Sequence, residues 1–235
     1  MQKHILAGLV ALTAGFGAGH ASAATYAVTA DTSVYQFLPN GNLDAYGYPD
    51  LYALNTGSGH SIVTLLDFDT LDADLASLSG GYTATLNLHV KCVDAGFNTG
   101  CPSQAAVTTD ILTEDGAWTE TGAISWASIV TDGNYGSFTT TTDSGWISID
   151  ITSLVQYWAS VGGTGDGIVL SEQAYAPVKN ADGQFVALTF DTKESGLGAY
   201  IDVQAVPVPA AAWLFGPPLL GLAGVSRIRK AKASR

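Results

Sequence analysis

The stretch GWISIDITSLVQYWAS, residues 145–160, decides the fold class. In its first half, residues 146–151, isoleucine alternates with tryptophan, serine and aspartate, which is typical of a β-strand. In the second half the period changes, and Thr152 or Ser153 can N-cap a short helix. The apolar face of this helix is formed by Leu154, Val155, Trp158 and Val161. Gly162 and Gly163 predict its end, and GIVLSE, residues 167–172, predicts another strand.

Short strand patterns fill the rest of the chain between Ala24 and Ala205. The clearest begins at Tyr82, where one face carries Tyr82, Ala84, Leu86, Leu88, Val90 and Cys92. Threonine, asparagine, histidine and lysine line the other face, as expected for a strand with one side in water. Many short strands separated by Gly-, Asn- and Asp-rich turns predict one all-β domain, a jelly-roll-like β-sandwich with one short helix.

The N-terminus has the features of an export signal. Lys3 precedes an apolar run from Ile5 to Phe16, and Ala21-Ser22-Ala23 forms a small-x-small cleavage site. We therefore predict a signal peptide over residues 1–23, with a signal helix, and an exported mature protein that begins at Ala24. The alternative interpretation is a first helix of the fold.

The C-terminus, residues 206–235, has the features of a sorting or anchor segment. Pro207-Val208-Pro209 precedes an uncharged run, residues 210–226, and basic residues follow, among them Arg227, Arg229 and Lys230. The run is long enough to predict a transmembrane helix, with the basic end inside. The order resembles a PEP-CTERM sorting signal, which implies membrane attachment until an exosortase-type enzyme processes the tail. A permanent single-span anchor is the alternative.

Between these ends the chain is strongly acidic. Three lysines, Lys91, Lys179 and Lys193, stand against 21 carboxylates, which gives a formal charge of −18 and includes no arginine. Binding to nucleic acid depends on neutralisation of phosphates by Lys and Arg, so this composition excludes a nucleic-acid partner. It also disfavours direct affinity for polyanionic polysaccharides and suits a surface protein or a protein that holds divalent cations.

The two cysteines, Cys92 and Cys101, flank a Gly- and Asn-containing loop. An even pair at close spacing in an exported protein predicts a disulfide. A metal site is the alternative, but it requires further ligands, and the loop holds no histidine or third cysteine.

Several segments together resemble the DNRLRE domain, a family classed among carbohydrate-binding modules. They are LLDFD at 65–69, the Glu114, Trp118, Glu120, Ile124 and Trp126 series, WISIDITSLVQYW at 146–158, and Phe190, Lys193, Glu194 and residues 200–203. Lys193 stands where the family has an arginine, and Ser61–Thr64 lacks the basic residue that the family often carries there. The resemblance implies a jelly roll that binds polysaccharide.

No pattern of catalytic residues is evident. His60 lies in a turn, His89 lies on the solvent side of its strand, and no nucleophile motif follows a strand into a helix. A lyase acting on uronates needs basic groups near the substrate, and three lysines are few. We therefore predict that the protein is not an enzyme.

Two groups of loop residues are candidate binding sites. Side-chain oxygens of Asn40, Asn42 and Asp44 alternate beside Asp31, and calcium prefers several such oxygens, so a structural Ca²⁺ ion is one hypothesis. An Asx-rich turn without an ion is the alternative. Exposed aromatic rings commonly bind sugars, and Tyr46, Tyr48 and Tyr52 cluster in the following segment, with core packing of each tyrosine as the alternative. Trp118, Trp126, Trp146 and Trp158 fit core positions.

These observations predict a protein sorted to the cell envelope, the cell surface or the extracellular space. Its partner is a polysaccharide or exopolysaccharide matrix, bound directly or through bridging cations. A purely structural surface or matrix scaffold is the alternative function.

Overall fold

The computed structural model describes residues 23–44, 50–58, 60–76, 78, 81–95, 105–141, 144–163, 167–180 and 182–206. All of these belong to one compact unit, Ser22–Val208. Apart from Ala23, which begins the first strand, and Val206, the predicted signal peptide and sorting segment lie outside the described residues, including Pro207, Pro209, Arg227, Arg229 and Lys230, and so does Cys101. No helix among the described residues is long and apolar enough to cross a membrane.

The described chain is an all-β fold whose strands pair only antiparallel, which confirms the predicted class. The strands are β1 (Ala23–Ala27), β2 (Ala30–Tyr35), β3 (Leu51–Asn55), β4 (Ser61–Asp67), β5 (Tyr82–Ala95), β6 (Val107–Glu114), β7 (Thr131–Thr140), β8 (Gly145–Asp150), β9 (Ile168–Ser171), β10 (Val186–Phe190) and β11 (Tyr200–Ala205).

One curled sheet contains all of these strands. Its order is β1-β11-β5-β10-β3-β4-β9-β6-β7, with β2 paired to β4 and β8 paired to β5. β3 joins the two halves, because it pairs with β10 on one side and with β4 on the other. The sheet thus forms a half-barrel around its main apolar core.

Strands β10 and β11 follow one another along the same side of β5. Val90 pairs with both Phe190 and Gly145, and Asn87 pairs with both Tyr200 and Ser148. Both strands therefore lie opposite β8 across β5. Between the two strands, residues 191–199 leave the edge of β5. This segment contains Asp191, Lys193 and Glu194.

Two α-helices pack against the main core, where the sequence predicted one. The unpredicted helix, α1 (Asp69–Leu75), buries Leu71 and Leu75, which stand four residues apart on one helix face. The predicted helix, α2 (Thr152–Val161), buries Leu154, Val155 and Trp158 as expected. Val161 is 59 % exposed, so its predicted place on the apolar face is wrong.

The ends of α2 are stabilised differently from the prediction. The N-cap is Ile151, rather than the predicted Thr152 or Ser153, and its side chain makes no capping hydrogen bond. The Asp150 carboxylate accepts a hydrogen bond from the Thr152 amide at 2.8 Å, and the Thr152 hydroxyl accepts one from the Ala84 amide at 2.9 Å. At the other end, Gly162 has a left-handed φ of +89°, which confirms the predicted glycine stop.

The alternation in β5 holds from Tyr82 to Val90 and then shifts. The register with β10 changes between Thr189 and Phe190, where Thr189 pairs with Cys92 and Phe190 with Val90. Beyond this irregularity Val93, rather than Cys92, joins the main core, although both are buried. Cys92 therefore does not share the core face of Val90, and its pairing with Cys101 stays a prediction.

Candidate functional site

A mixed aromatic and polar surface covers the solvent side of the sheet around β5. Successive side chains of a strand point to opposite faces. The residues next to the buried Leu86, Leu88, Ile201 and Val203 therefore point away from the core. We call this surface the β5 face. Its members are Thr25, Thr85, Asn87, His89, Lys91, Trp146, Ser148, Asp150, Tyr200 and Asp202.

Strand register arranges these side chains in rows. One row runs Tyr200, Asn87, Ser148 across β11, β5 and β8. The next runs Thr25, Asp202, Thr85, Asp150 across four strands. At about 4.8 Å between strands, the second row spans about 14 Å.

Trp146 is the large exposed side chain of this face. It is 44 % exposed, and its ring meets the His89 ring edge-on, with centroids 5.1 Å apart. The Tyr200 ring lies at the same centroid distance from Trp146, also edge-on. Edge-to-face packing of this kind holds aromatic rings in place and contributes roughly 0.5–1.5 kcal/mol per pair beyond area burial. The ring of Trp146 is therefore held in place while much of its surface contacts water.

The prediction that Trp146 is a core residue is wrong. In the strand WISIDI, the isoleucines Ile147, Ile149 and Ile151 occupy the inward positions and pack on the core. Trp146, Ser148 and Asp150 consequently point to solvent. The alternation of isoleucine with other residues in this segment indicates that Trp146 lies on the face opposite the core. Of the other candidates, Trp158 lies in the main core at 1 % exposure, whereas Trp118 and Trp126 are partly buried against a smaller cluster.

A hydrogen-bonded chain of polar groups surrounds the aromatic rings. The Ser148 hydroxyl donates to the Asn87 side-chain oxygen at 2.6 Å, and the Asn87 amide donates to Asp202 at 3.4 Å. The hydroxyl of Thr25 donates to the other Asp202 oxygen at 2.6 Å. These contacts fix the orientation of donors and acceptors before any ligand arrives, which lowers the ordering cost of binding.

Two pairs of polar side chains flank the β5 face. His89 Nδ1 lies 2.7 Å from an Asp191 carboxylate oxygen, so His89 is on the side of β5 away from the main core, as expected, but both side chains are mostly buried. Lys91 Nζ lies 2.5 Å from Asp50. Asp191 reaches His89 because the chain leaves the β5 edge directly after β10.

The β5 face carries a net negative charge. Its own charged members, Asp150, Asp202 and Lys91, give a formal charge of −1, and the flanking carboxylates of Asp50 and Asp191 bring the total to −3 with His89 neutral. Hydrogen bonds from the hydroxyl and amide of Thr152 lower the pKa of Asp150, so this exposed carboxyl is ionised at neutral pH.

The face borders a shallow cleft of about 370 Å³ between β7 and β8. Residues 138–141 and 147–149 line it, and Ser148 belongs to both the cleft and the β5 face. Strand β7 was not predicted, because Gly133, Asn134 and Gly136 interrupt its pattern. The unpredicted strand thus forms one wall of a cleft that adjoins the β5 face.

The predicted calcium ligands have different partners. The Asn42 side chain is fully buried. Its oxygen accepts hydrogen bonds from the Thr32 hydroxyl and the Asp44 amide. Its nitrogen donates to the backbone carbonyls of Glu120 and Gly122. The Asn40 oxygen accepts from the Ile124 amide at 3.2 Å. These contacts tie the loop to residues 120–124, which is a structural role. Asp44 is exposed.

Asp31 belongs instead to an acidic group with Glu120 and Glu194, whose carboxylate oxygens lie within 4.8 Å of one another. Three such oxygens could hold a metal ion, but the Lys193 ammonium already hydrogen-bonds Glu120 and Glu194. The Lys193 backbone amide donates to Asp31 at 2.7 Å. A metal at this place therefore competes with a lysine of the protein itself.

The environment shifts the pKa values in this group in opposite directions. Burial raises the pKa of Asp31 to about 6, partly offset by the Lys193 amide. Burial opposes the charge of Lys193, but its hydrogen bonds to Glu120 and Glu194 outweigh this and raise its pKa. For Glu194 burial acts upward, yet the contact with Lys193 lowers the pKa overall. The pair Lys193–Glu194 is therefore ionised at neutral pH.

The predicted tyrosine site is not brought together in the described residues. Tyr46 and Tyr48 lie outside them. Tyr52 is not a loop residue, because it lies in β3 at 6 % exposure and packs with Leu43, Leu54 and Ile62. A ring buried to this extent offers no face to a sugar.

No protein-family model matches the chain, and no curated protein sequence matches it significantly. The resemblance to the DNRLRE domain and to the PEP-CTERM signal thus stays a prediction.

Proposed function

We propose that this protein is an exported, non-catalytic polysaccharide-binding module with a jelly-roll-like sandwich, and that the β5 face binds the glycan. The observation that carries the proposal is the exposed ring of Trp146, fixed by His89 and Tyr200 within an ordered polar surface. Sugar rings have apolar faces and a rim of hydroxyls, so they match an aromatic surface bordered by hydrogen-bonding groups.

The polar partners suit hydroxyl groups. The exposed hydroxyl of Ser148 and the partly exposed carboxylate of Asp202 supply a donor and acceptors, and the buried amide of Asn87 holds both in position. Because hydroxyls both donate and accept, a sugar can bind a surface that is rich in carboxylate acceptors. The cleft beside Ser148 gives a longer chain a continuation beyond the face.

The cellular setting belongs to the same proposal. An export signal over residues 1–23 and a sorting segment over residues 206–235 place the module at the cell envelope, the cell surface or in the extracellular matrix. An exosortase-type enzyme processes the tail, which holds the protein in the membrane before processing. The partner in this setting is a polysaccharide matrix.

A structural scaffold without ligand is the second candidate. It is favoured by one observation, namely that the polar groups of the β5 face already hydrogen-bond each other. Such bonds stabilise a bare sheet as well as they orient a binding surface. Trp146 separates the two candidates, because a scaffold gains nothing from the part of this side chain that remains exposed to water.

Calcium remains a proposal as a structural ion, now with Asp31, Glu120 and Glu194 as its ligands. These carboxylates provide oxygen ligands of the kind that calcium prefers. The ion has to displace the ammonium of Lys193.

The test of glycan binding is a titration of the purified protein with soluble neutral polysaccharides, monitored by calorimetry. We expect Trp146→Ala to weaken binding and Phe37→Ala to leave it unchanged. Phe37 is the matched control, since it is a more exposed aromatic residue, stacked on His60 away from the β5 face. Equal binding by both variants would reject the β5 face as the site.

A further inference from the structure

The charges of the β5 face select among glycans. We propose that its preferred ligand is a glycan with free amino groups, such as a 2-amino-2-deoxyhexose polymer, in which an ammonium group pairs with Asp202 or Asp150 while a sugar ring stacks on Trp146. This inference rests on the proposed function, because it assigns a ligand class to the same face.

The first argument is the charge of the surface itself. Together with the flanking Asp50 and Asp191 the face has a formal charge of −3, and its lysine, Lys91, is already paired with Asp50 at 2.5 Å. The other cationic candidate, His89, has its Nδ1 on Asp191. A uronate or sulfated sugar finds no uncommitted lysine here, and an ammonium finds carboxylates. Charge complementarity therefore favours a cationic glycan over an anionic one.

The second argument is the placement of two carboxylates in one row. Asp202 and Asp150 both pair with Thr85, from β11 and β8 on its two sides. Two strand spacings separate them by about 10 Å. Trp146 lies four residues from Asp150 along β8, about 14 Å away, so a straight sugar chain stacked on Trp146 reaches one of the two carboxylates at a time, and the row offers two alternative registers.

The third argument is that the carboxylates are held ready to accept. Thr25 and Asn87 orient the Asp202 group, and the Thr152 amide orients Asp150. Trp146 adds a face to which a cation is attracted as well as a sugar ring. An ammonium-bearing sugar therefore gains from the carboxylates and from the indole together.

The test compares two ligands of equal length, fully deacetylated and fully acetylated chito-oligosaccharides, in calorimetric titrations of the purified protein at low salt. We expect tighter binding of the deacetylated ligand, with a preference that shrinks as salt is raised. Asp202→Asn and Asp150→Asn should each reduce this preference by about two- to fivefold, the effect of losing one exposed ion pair. Both variants retain an oxygen acceptor and are checked for wild-type melting temperature.

Asp182→Asn is the matched control, because Asp182 lies exposed in the turn before β10 and the substitution changes the total charge equally. If Asp182→Asn reduces the preference as much as the other two, only the overall charge of the protein attracts the amines, and the inference is overturned. Equal affinity for both ligands, lost in Trp146→Ala, overturns the inference but leaves the proposed function standing. Absence of binding to any glycan overturns both.

Discussion

Asp31 is a buried carboxyl whose ionisation opposes folding, and replacing it with asparagine should stabilise the protein at neutral pH. Asp31 is 2 % exposed and accepts a hydrogen bond from the Lys193 amide. Asparagine has nearly the same shape and retains an oxygen that can accept this bond. The substitution therefore removes the charge while it preserves the contact.

The magnitude follows from the pKa shift. Burial raises the pKa of Asp31 from 3.8 to about 6. One pKa unit corresponds to about 1.4 kcal/mol, so the shift amounts to about 3 kcal/mol. Because the folded state binds the proton more tightly, the contribution of Asp31 to the free energy of unfolding is fully present below pH 4. It is lost as the pH rises through 6.

The assay is urea unfolding of wild type and Asp31→Asn between pH 3.5 and pH 8. We expect equal stabilities near pH 3.5 and a variant more stable by about 3 kcal/mol above pH 7. The exposed turn residue Asp182, changed to asparagine, serves as the control and should leave the profile unchanged. A variant that is less stable than wild type at pH 8 would refute the reasoning, because it would show that the folded protein needs the charge of Asp31.

Three further changes test the structural account. Asn42→Ala leaves four hydrogen-bonding groups without their partner and should lower the free energy of unfolding by about 2–4 kcal/mol in urea. Lys193→Met leaves Glu120 and Glu194 without their ammonium partner. Calcium should therefore raise the melting temperature of this variant more than that of wild type, with sodium chloride of equal ionic strength as the control. An equal rise in both proteins would argue against metal binding at these carboxylates. Gly162→Ala forces a side chain into a left-handed conformation and should cost about 1 kcal/mol; an unchanged urea midpoint would contradict this.

Local patterns predicted most of the strands. The alternation from Tyr82 to Val90 is confirmed, since side-chain period and burial are set within the strand. The change from strand to helix at Asp150 is confirmed for the same reason. Helix α1 was missed because its two buried leucines are too few to show a period in seven residues.

The candidate site was harder to predict. Trp146 was assigned to the core by residue type, although its position in WISIDI indicates the opposite face. The contacts of Asp31 with Lys193 and Glu194 join positions more than 160 residues apart. These contacts arise because residues 191–199, between β10 and β11, leave the edge of β5. The path of this segment depends on how both strands pair with β5, so no local sequence pattern predicts it. The β5 face likewise combines side chains from four strands that lie far apart in the sequence.

The most direct measurement of the central claim is the affinity of Trp146→Ala for a polysaccharide that the wild type binds. Trp146 is 44 % exposed, roughly 90 Å² of a large aromatic side chain, and the burial of this area is worth about 2 kcal/mol. We therefore predict a dissociation constant about 30-fold higher for the variant, with Phe37→Ala at wild-type affinity; loss of the two edge-to-face contacts lowers the melting temperature of Trp146→Ala, so the titration is made well below it. A Trp146→Ala protein that binds the polysaccharide as tightly as wild type would contradict the assignment of the β5 face as a glycan-binding surface.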